Sequence, residues 1–168
     1  PRTWRSWSGS VAMISSVPQV IVVNPQRIAA TDLKGLVAYL RANPGKSTYA
    51  SAGNGSSHHL AGELFKAQTQ TFVIHIPYRG AGPALQDLIA GQVDLMFDGL
   101  GSSATHIRNG RIKALAVTSN YRSKHLPDVP TMQESGLPDF NVTSWLGIYA
   151  PAGTPRPILE QLGRDIVE

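Results

Sequence analysis

The 168-residue sequence contains no cysteine, few charged residues and no long apolar run. The absence of cysteine excludes disulfide bonds and metal sites with cysteine ligands. Charged residues make up only 15% of the chain and hydrophobic residues 42%, and aliphatic segments recur along its whole length. This composition is typical of a globular protein rather than of a disordered chain. No apolar stretch approaches the roughly 20 residues that a membrane-spanning helix requires.

Positive charge exceeds negative charge only slightly, with 15 lysines and arginines against 11 acidic residues. The basic residues are scattered singly, so the sequence does not predict a nucleic-acid-binding surface. The first ten residues, "PRTWRSWSGS", include basic residues but no apolar segment of a signal peptide behind them. Because the chain also stops inside a predicted helix, at "LGRDIVE", we expect it to be a fragment of a longer protein.

Segments rich in β-branched residues alternate with segments of helical periodicity. The predicted strands are residues 19–23, 47–53, 71–78, 92–97, 112–119 and 141–151. Thr31-Asp32 is predicted to cap the first helix, and the later helices are predicted to start at 57, 82 and 102 and near Thr154-Pro155. In the second helix Leu60, Leu64 and Phe65 share one face, and in the third Pro83 occupies the first helical position.

Repeated β-α units joined by short glycine and proline turns predict an α/β fold with a mainly parallel sheet. A proline-rich connection over 126–140 marks a change in composition. We therefore expect residues 25–138 to form one compact α/β domain. Residues 1–24 would end another domain and cross over, and residues 139–168 would return to it.

One glycine-rich turn, "AGNGSSHHLAGELF" at 52–65, stands between a predicted strand and a predicted helix. A metal site there is disfavoured, because His58 and His59 are adjacent and point about 100° apart on a helix, with no third ligand nearby. A serine nucleophile is not favoured, because the G-x-S-x-G motif of hydrolases matches neither this turn nor "DGLGSS" at 98–103. A triad assembled from distant serine, histidine and aspartate residues stays open.

An anion site suits the turn better. A glycine turn ahead of a helix collects unpaired N–H groups at the positive end of the helix dipole. The first turn of this helix has no acidic residue, since the first one is Glu63, whereas the helix after Thr31 supplies its own Asp32. The alternative is that Ser56 or Ser57 is an ordinary helix N-cap.

Several further segments resemble, in order and at plausible spacing, the Bug/TctC family of extracytoplasmic receptors of tripartite tricarboxylate transporters. They are "PQVIVVNP" (18–25), "SAGNGSSHHLAGELFK" (51–66), "HIPYRGAGPALQDLIAGQVDLMFD" (75–98), "GRIKALAVTS" (110–119), 122–140 and 145–155. The resemblance covers nearly the whole chain from Val11 onwards. It implies a periplasmic-binding-protein-like (type II) architecture of two α/β domains, one nearly complete here and the other partial.

The resemblance also implies a set of ligand-binding residues on three loops. Matched to the family's motifs, they are Gly53, Asn54, Gly55, Ser56, Ser57, His59, Tyr78, Arg79 and Asp98. Asn54 replaces a position that is often apolar, and Ser57 and His58 occupy variable positions, so they do not specify the ligand. His59, rather than His58, occupies the family's histidine position.

Several of these residues have structural alternatives. Tyr78 could pack at the edge of the cleft, and Arg79 could be a solvated surface charge. Asp98 could cap the next helix through the backbone of Ser102 and Ser103. We expect His75 to be a core histidine with a polar partner, and Trp145 to pack in the other domain near its hinge.

The implied function is that of a non-enzymatic periplasmic receptor, without cofactor or metal, that is a monomer when full length. It would hold a small carboxylate on the N–H groups of residues 54–57, close about a hinge, and deliver the solute to membrane permease subunits. A fragment is expected to bind weakly, and the sequence does not specify which carboxylate. A hydrolase-like enzyme using a cleft Ser/His/Asp, or a sensor or effector-binding domain, remains as an alternative, although no helix-turn-helix precedes the domain.

Overall fold

The computed structural model of the protein describes residues 9–167. Most of the opening segment "PRTWRSWSGS", residues 1–8, therefore lies outside the described residues. The elements, in chain order, are β1 (Gly9–Val23), α1 (Leu33–Ala42), β2 (Thr48–Ser51), α2 (Ser57–Thr69), β3 (Ile74–Pro77), α3 (Ala81–Ile89), β4 (Leu95–Gly99), α4 (Leu100–Arg108), β5 (Lys113–Val117), β6 (Thr143–Ala150) and α5 (Arg156–Val167).

The chain divides into two compact units. The larger unit runs from Pro18 to Thr143, and the smaller combines the residues up to Val17 with those from Ser144. The second half of β1 therefore belongs to the larger unit, where Val20 to Val23 are fully buried and pair with β4 and β5. How the units correspond to the domains of a longer receptor stays a prediction.

The larger unit is built on a sheet with the strand order β3-β2-β4-β1-β5. β2 pairs in parallel with β3 and with β4, but β1 pairs in an antiparallel sense with both β4 and β5. The prediction of a mainly parallel sheet was therefore wrong for β1, which lies inside the sheet and runs against its neighbours. A buried run such as "QVIVV" predicts a strand but carries no information about its direction.

Both faces of this sheet are covered by helices. Alternate residues of β1 enter opposite cores, with Ile21 and Val23 on one face and Val20 and Val22 on the other. The first core includes residues of α1 and α2, and the second includes residues of α3 and α4. Apolar burial on both faces explains why the strands read as nearly continuous hydrophobic runs.

The helix ends follow local chemistry, with two corrections. Asp32 caps α1 as predicted, its carboxylate accepting a hydrogen bond of 2.7 Å from the Gly35 N–H. Leu60 does not share the buried face of α2: it is 58% exposed, while Phe65 is buried. Pro83 is the third residue of α3 rather than the first, because the chain enters the helix from Gly80, whose φ of 118° favours glycine.

In the smaller unit β6 pairs with β1, and α5 lies close to the same strand. A Cβ added at Gly163 of α5 would lie 3.3 Å from the Val11 carbonyl oxygen. Trp145 is 59% exposed and contacts the Tyr149 ring edgewise, at 6.4 Å between ring centroids. The expectation that Trp145 is packed is therefore wrong within this unit. None of the helices described in either unit has the length and apolar character to span a membrane.

Candidate functional site

The candidate residues lie where three adjacent parallel strands end. β3, β2 and β4 are neighbours that run in the same direction, so the segments that follow them meet at one edge of the sheet. The glycine turn follows β2, Tyr78 and Arg79 follow β3, and Asp98 lies at the end of β4. Open α/β sheets bind their ligands at such carboxyl ends.

The glycine turn needs its glycines. Gly53 and Gly55 have φ values of 123° and 77°, in the region that disfavours any side chain. A Cβ at Gly53 would also lie 3.3 Å from the Tyr78 carbonyl oxygen, so the turn and the loop after β3 are in close contact. The Ser51 hydroxyl braces the turn by accepting a hydrogen bond of 3.1 Å from the Gly53 N–H.

Ser56 is the N-cap of α2. Its hydroxyl accepts a hydrogen bond of 3.3 Å from the His59 N–H and donates one of 2.7 Å to the Gly53 carbonyl. The first turn of α2 contains no acidic side chain. The helix dipole therefore meets a neutral cap at this end, which leaves the positive potential available to an external anion.

Two of the backbone N–H groups predicted to hold an anion already have internal acceptors. The Ser56 N–H donates to the Gly53 carbonyl at 3.2 Å, and the Gly55 N–H donates to His59 Nδ1 at 3.2 Å. Within residues 9–167, no acceptor takes the N–H of Asn54 or of His58. The open backbone N–H donors are therefore those of Asn54 and His58, and not all the N–H groups of residues 54–57. Ser57, the first residue of α2, is half-buried.

The two adjacent histidines point to different partners. His58 Nε2 lies 3.8 Å from Asp98 Oδ1, whereas the His59 ring stacks on the His75 ring at 4.2 Å between centroids. The described part of the chain contains no cluster of three potential metal ligands. The sequence analysis assigned His58 to a variable position and did not predict its contact with Asp98. Sequence spacing does not show which strand the first turn of a helix packs against.

Asp98 is the most deeply buried acid of the site. Its side chain is fully buried, and Oδ2 accepts hydrogen bonds of 2.7 Å and 2.6 Å from the hydroxyls of Ser102 and Ser103. Within residues 9–167, Oδ1 has no hydrogen-bond donor, and neither does the buried Nδ1 of His58 have a partner. Burial lowers the pKa of His58, and the Asp98 carboxylate acts in the opposite direction.

His75 has a polar partner, as expected, but it is half-buried and not part of the core, so the prediction of a core histidine was wrong. Its Nε2 lies 2.6 Å from the Ser51 hydroxyl, and its ring also stacks on Tyr49. Burial lowers the pKa of His75, and the neighbouring His59 adds to this effect. In the described residues no carboxylate hydrogen-bonds to His75, so the Ser51–His75 pair lacks the third member of a hydrolytic triad.

The loop after β3 contributes less polar chemistry than predicted. The Tyr78 hydroxyl donates a hydrogen bond of 2.7 Å to Asp87 of α3, and burial together with this bond raises the pKa of Tyr78 to about 12. Its hydroxyl is therefore engaged within the loop and the following helix. Arg79 is exposed and makes no ion pair with any residue in the range 9–167, so its guanidinium is available to a ligand.

The sequence matches the tripartite tricarboxylate transporter family receptor, TctC, over residues 4–167. It is 45% identical to a UPF0065 protein of Pseudomonas sp. strain P51 from the tcbD-tcbE intergenic region, covering 93% of this chain and 46% of that protein. It is 40% identical to protein BugT of Bordetella pertussis, covering 94% of this chain and 48% of BugT. The chain therefore spans about half the length of the curated relatives it matches.

Solved structures agree with this relationship. A structure of an R. palustris protein with adipate superposes with a TM-score of 0.92 at 33% identity, covering 98% of this chain and 55% of that chain. MatC from Rhodopseudomonas palustris, with bound malate, gives 0.89 at 33% identity, with coverages of 95% and 54%. The periplasmic binding protein BugD gives 0.88 at 37% identity, with coverages of 94% and 52%.

These likenesses confirm the predicted fold class, a periplasmic-binding-protein-like α/β architecture of which the chain contains a part. The matched range, residues 4–167, includes the glycine turn, the loop after β3 and the end of β4. The chain belongs to the TctC family of tripartite tricarboxylate transporter receptors.

Proposed function

We propose that this chain is part of an extracytoplasmic receptor whose larger unit holds a small carboxylate at the first turn of α2. The observation that carries the proposal is the helix N-terminus itself. Its cap is neutral, its first turn has no acid, and the N–H groups of Asn54 and His58 lack acceptors in the described part of the chain. Two relatives of the same fold were solved with carboxylates, adipate and malate.

The predicted site residues, together with His58, take different roles in this proposal. Asn54 and His58 supply the open N–H donors, and Gly53 and Gly55 keep the turn free of side chains. Arg79 offers a charged donor at the neighbouring loop. Ser56 and Tyr78 hold the loops in position, because their hydroxyls already have partners. In the whole receptor, closure about a hinge would enclose the solute, and membrane permease subunits would then recognise the loaded form. We propose that this receptor is a periplasmic monomer.

The test is a calorimetric titration of malate and adipate, each paired with its uncharged diamide. The titrations use the 168-residue chain and, where its gene encodes a longer product, that product. We expect the acids to bind and the diamides to bind at least tenfold more weakly, because the open N–H donors of Asn54 and His58 then lack an anion. Equal affinity for acid and diamide would contradict the anion site.

Two glycine variants locate the site. Gly53→Val places a β-branched side chain at positive φ and against the Tyr78 carbonyl, and it should abolish acid binding. Gly110→Val imposes comparable backbone strain after α4, with nothing within 4 Å of the new Cβ, and should leave acid binding intact. Heat that continues after saturation, and disappears in Ser56→Ala, would instead favour the hydrolase.

A further inference from the structure

A buried carboxylate lies directly beneath the turn that is proposed to bind a carboxylate. Asp98 is fully buried, and its unpartnered Oδ1 is directed at His58, the second residue of α2. Within the described residues, no lysine or arginine pairs with Asp98. An anion arriving at the first turn of α2 would therefore face a second negative charge with no permanent cation between them.

His58 is the group placed to resolve this repulsion. Its side chain is 13% exposed, its Nε2 is 3.8 Å from Asp98 Oδ1, and its own backbone N–H is one of the two open donors. An anion held by that N–H lies within a side-chain length of the imidazole. The imidazole of His58 would thus lie between two carboxylates, and each of them favours the protonated, charged form of the imidazole.

The empty site favours the neutral imidazole. Burial lowers the pKa of His58, and the opposing effect of Asp98 does not overcome it. Of the other nearby groups, Ser102 and Ser103 on α4 are uncharged and donate to Asp98 Oδ2. His59, Glu63 and His75 form a separate cluster of titratable groups, and Arg79, on the loop after β3, is exposed and makes no ion pair with a described residue.

That separate cluster has its own pairings. His59 stacks on His75, and His59 Nε2 lies 4.0 Å from the Glu63 carboxylate. Glu63 is in turn bound by Lys66 at 2.8 Å. Asp98 is therefore the one charged group in the described chain whose field is shown to act on His58.

We propose that carboxylate binding at the first turn of α2 draws a proton from solvent onto His58, so that the receptor takes up its solute together with a proton. This inference rests on the proposed function, because it needs an anion at that turn. The proton adds no bond to the solute. It converts the buried His58–Asp98 contact into an ion pair and gives His58 Nδ1, now unpartnered, a hydrogen to donate.

The sign of the pH dependence follows from linkage. The loaded form holds more protons than the empty form, so raising the pH must weaken binding. The loss is expected between the pKa of His58 in the empty protein, which lies below its usual value, and its higher pKa in the loaded protein. Within that window affinity falls by up to about tenfold per pH unit.

The experiment is a calorimetric proton count. Malate is titrated at pH 7.0 in HEPES, imidazole and Tris, which differ in ionisation enthalpy, and the slope of observed heat against that enthalpy gives the protons taken up. We expect a positive slope of up to one proton per malate in the unmodified protein. A zero slope with clear binding overturns the inference and leaves the proposed function standing, whereas no binding of malate or adipate at any pH overturns both.

Four variants assign the proton. His58→Gln should bind malate with a slope near zero and a flat pH profile. His125→Gln, an exposed histidine in the loop after β5, is the matched control and should keep the slope. Asp98→Asn should reduce the slope, because the second negative charge is removed. A slope that persists in His58→Gln and vanishes in His59→Gln would move the proton to the wrong histidine and refute the assignment.

Discussion

Gly62→Ala is the substitution whose consequence the packing of α2 determines most directly. A Cβ at Gly62 would overlap Cε2 and Cζ of the Tyr49 ring. That ring is 1% exposed, its hydroxyl donates a hydrogen bond of 2.6 Å to Glu63, and its face stacks on His75 at 4.8 Å. The ring is held on several sides, so it cannot move away from the new methyl group without losing a contact.

Two opposing effects set the change in the free energy of unfolding caused by Gly62→Ala. Replacing glycine by alanine inside a helix stabilises it by about 1 kcal/mol. Overpacking a well-filled core costs about 1–3 kcal/mol, and more where the neighbours cannot shift. For a ring fixed as firmly as Tyr49, the second effect should win. We expect Gly62→Ala to lower the free energy of unfolding by about 1–2 kcal/mol and Tm by roughly 2–4 °C for each kcal/mol.

Urea unfolding followed by far-ultraviolet circular dichroism measures this change. Gly101→Ala, in α4, is the matched control, because its Cβ would meet nothing within 4 Å and the change should be neutral or stabilising. In a double-mutant cycle, Tyr49→Leu with Gly62→Ala should cost less than the sum of the two single changes. A Gly62→Ala protein as stable as the unmodified one, or strictly additive effects in the cycle, would refute the packing argument.

Three other changes test the polar contacts of the same region. Ser103→Ala removes a donor from the buried carboxylate of Asp98 and should cost about 1–3 kcal/mol of unfolding free energy in urea. Burial alone would raise the pKa of Glu63, but hydrogen bonds, the largest from Lys66, hold it lower. Because folding depresses the pKa of Glu63, the ionised carboxylate stabilises the protein above its unfolded pKa, and this stabilisation is lost as the pH falls. The urea midpoint of Glu63→Gln should therefore decline less steeply between pH 6 and pH 3 than that of the unmodified protein. Ser56→Asp should keep or raise Tm but weaken malate binding at least tenfold, whereas the neutral cap Ser56→Asn should keep both; unchanged binding in Ser56→Asp would argue against an anion at this turn.

Sequence patterns predicted the elements better than their arrangement. Local signals located the helices and most strands, but they missed the part of β1 that precedes the predicted strand at 19–23, since β1 begins at Gly9. Asp32 was identified correctly as a cap because capping depends on residues three positions apart. The direction of β1 was not predictable, because a fully buried strand has the same apolar pattern in either sense. Leu60 was misassigned because small residues, Ala61 and Gly62, form the inner face of α2 and permit its close approach to Tyr49.

The local features of the candidate site were predictable from the sequence, but its long-range contacts were not. The turn at Gly53 and Gly55 was predictable because glycine at positive φ leaves a local signature between a strand and a helix. Which of its N–H groups remain open was not, since that depends on where the His59 ring turns after α2 has packed. The contact between His58 and Asp98 joins residues 40 positions apart and exists only because β2 and β4 are neighbours.

The two helices that flank β2 illustrate what separates a structural helix end from a candidate binding one. α1 carries its own carboxylate, Asp32, bonded at 2.7 Å to the backbone, so its positive end is already neutralised. α2 has the neutral Ser56 as its cap, and the buried acid Asp98 lies on β4 and contacts the first turn through the His58 imidazole. Such an acid is not part of the cap, and it leaves the positive end of the helix dipole available while the site is empty. Because the imidazole can accept a proton, the same acid need not oppose an anion when one binds. A neutral cap with a titratable counter-charge is therefore the combination expected where a helix end must be stable both with and without its ligand.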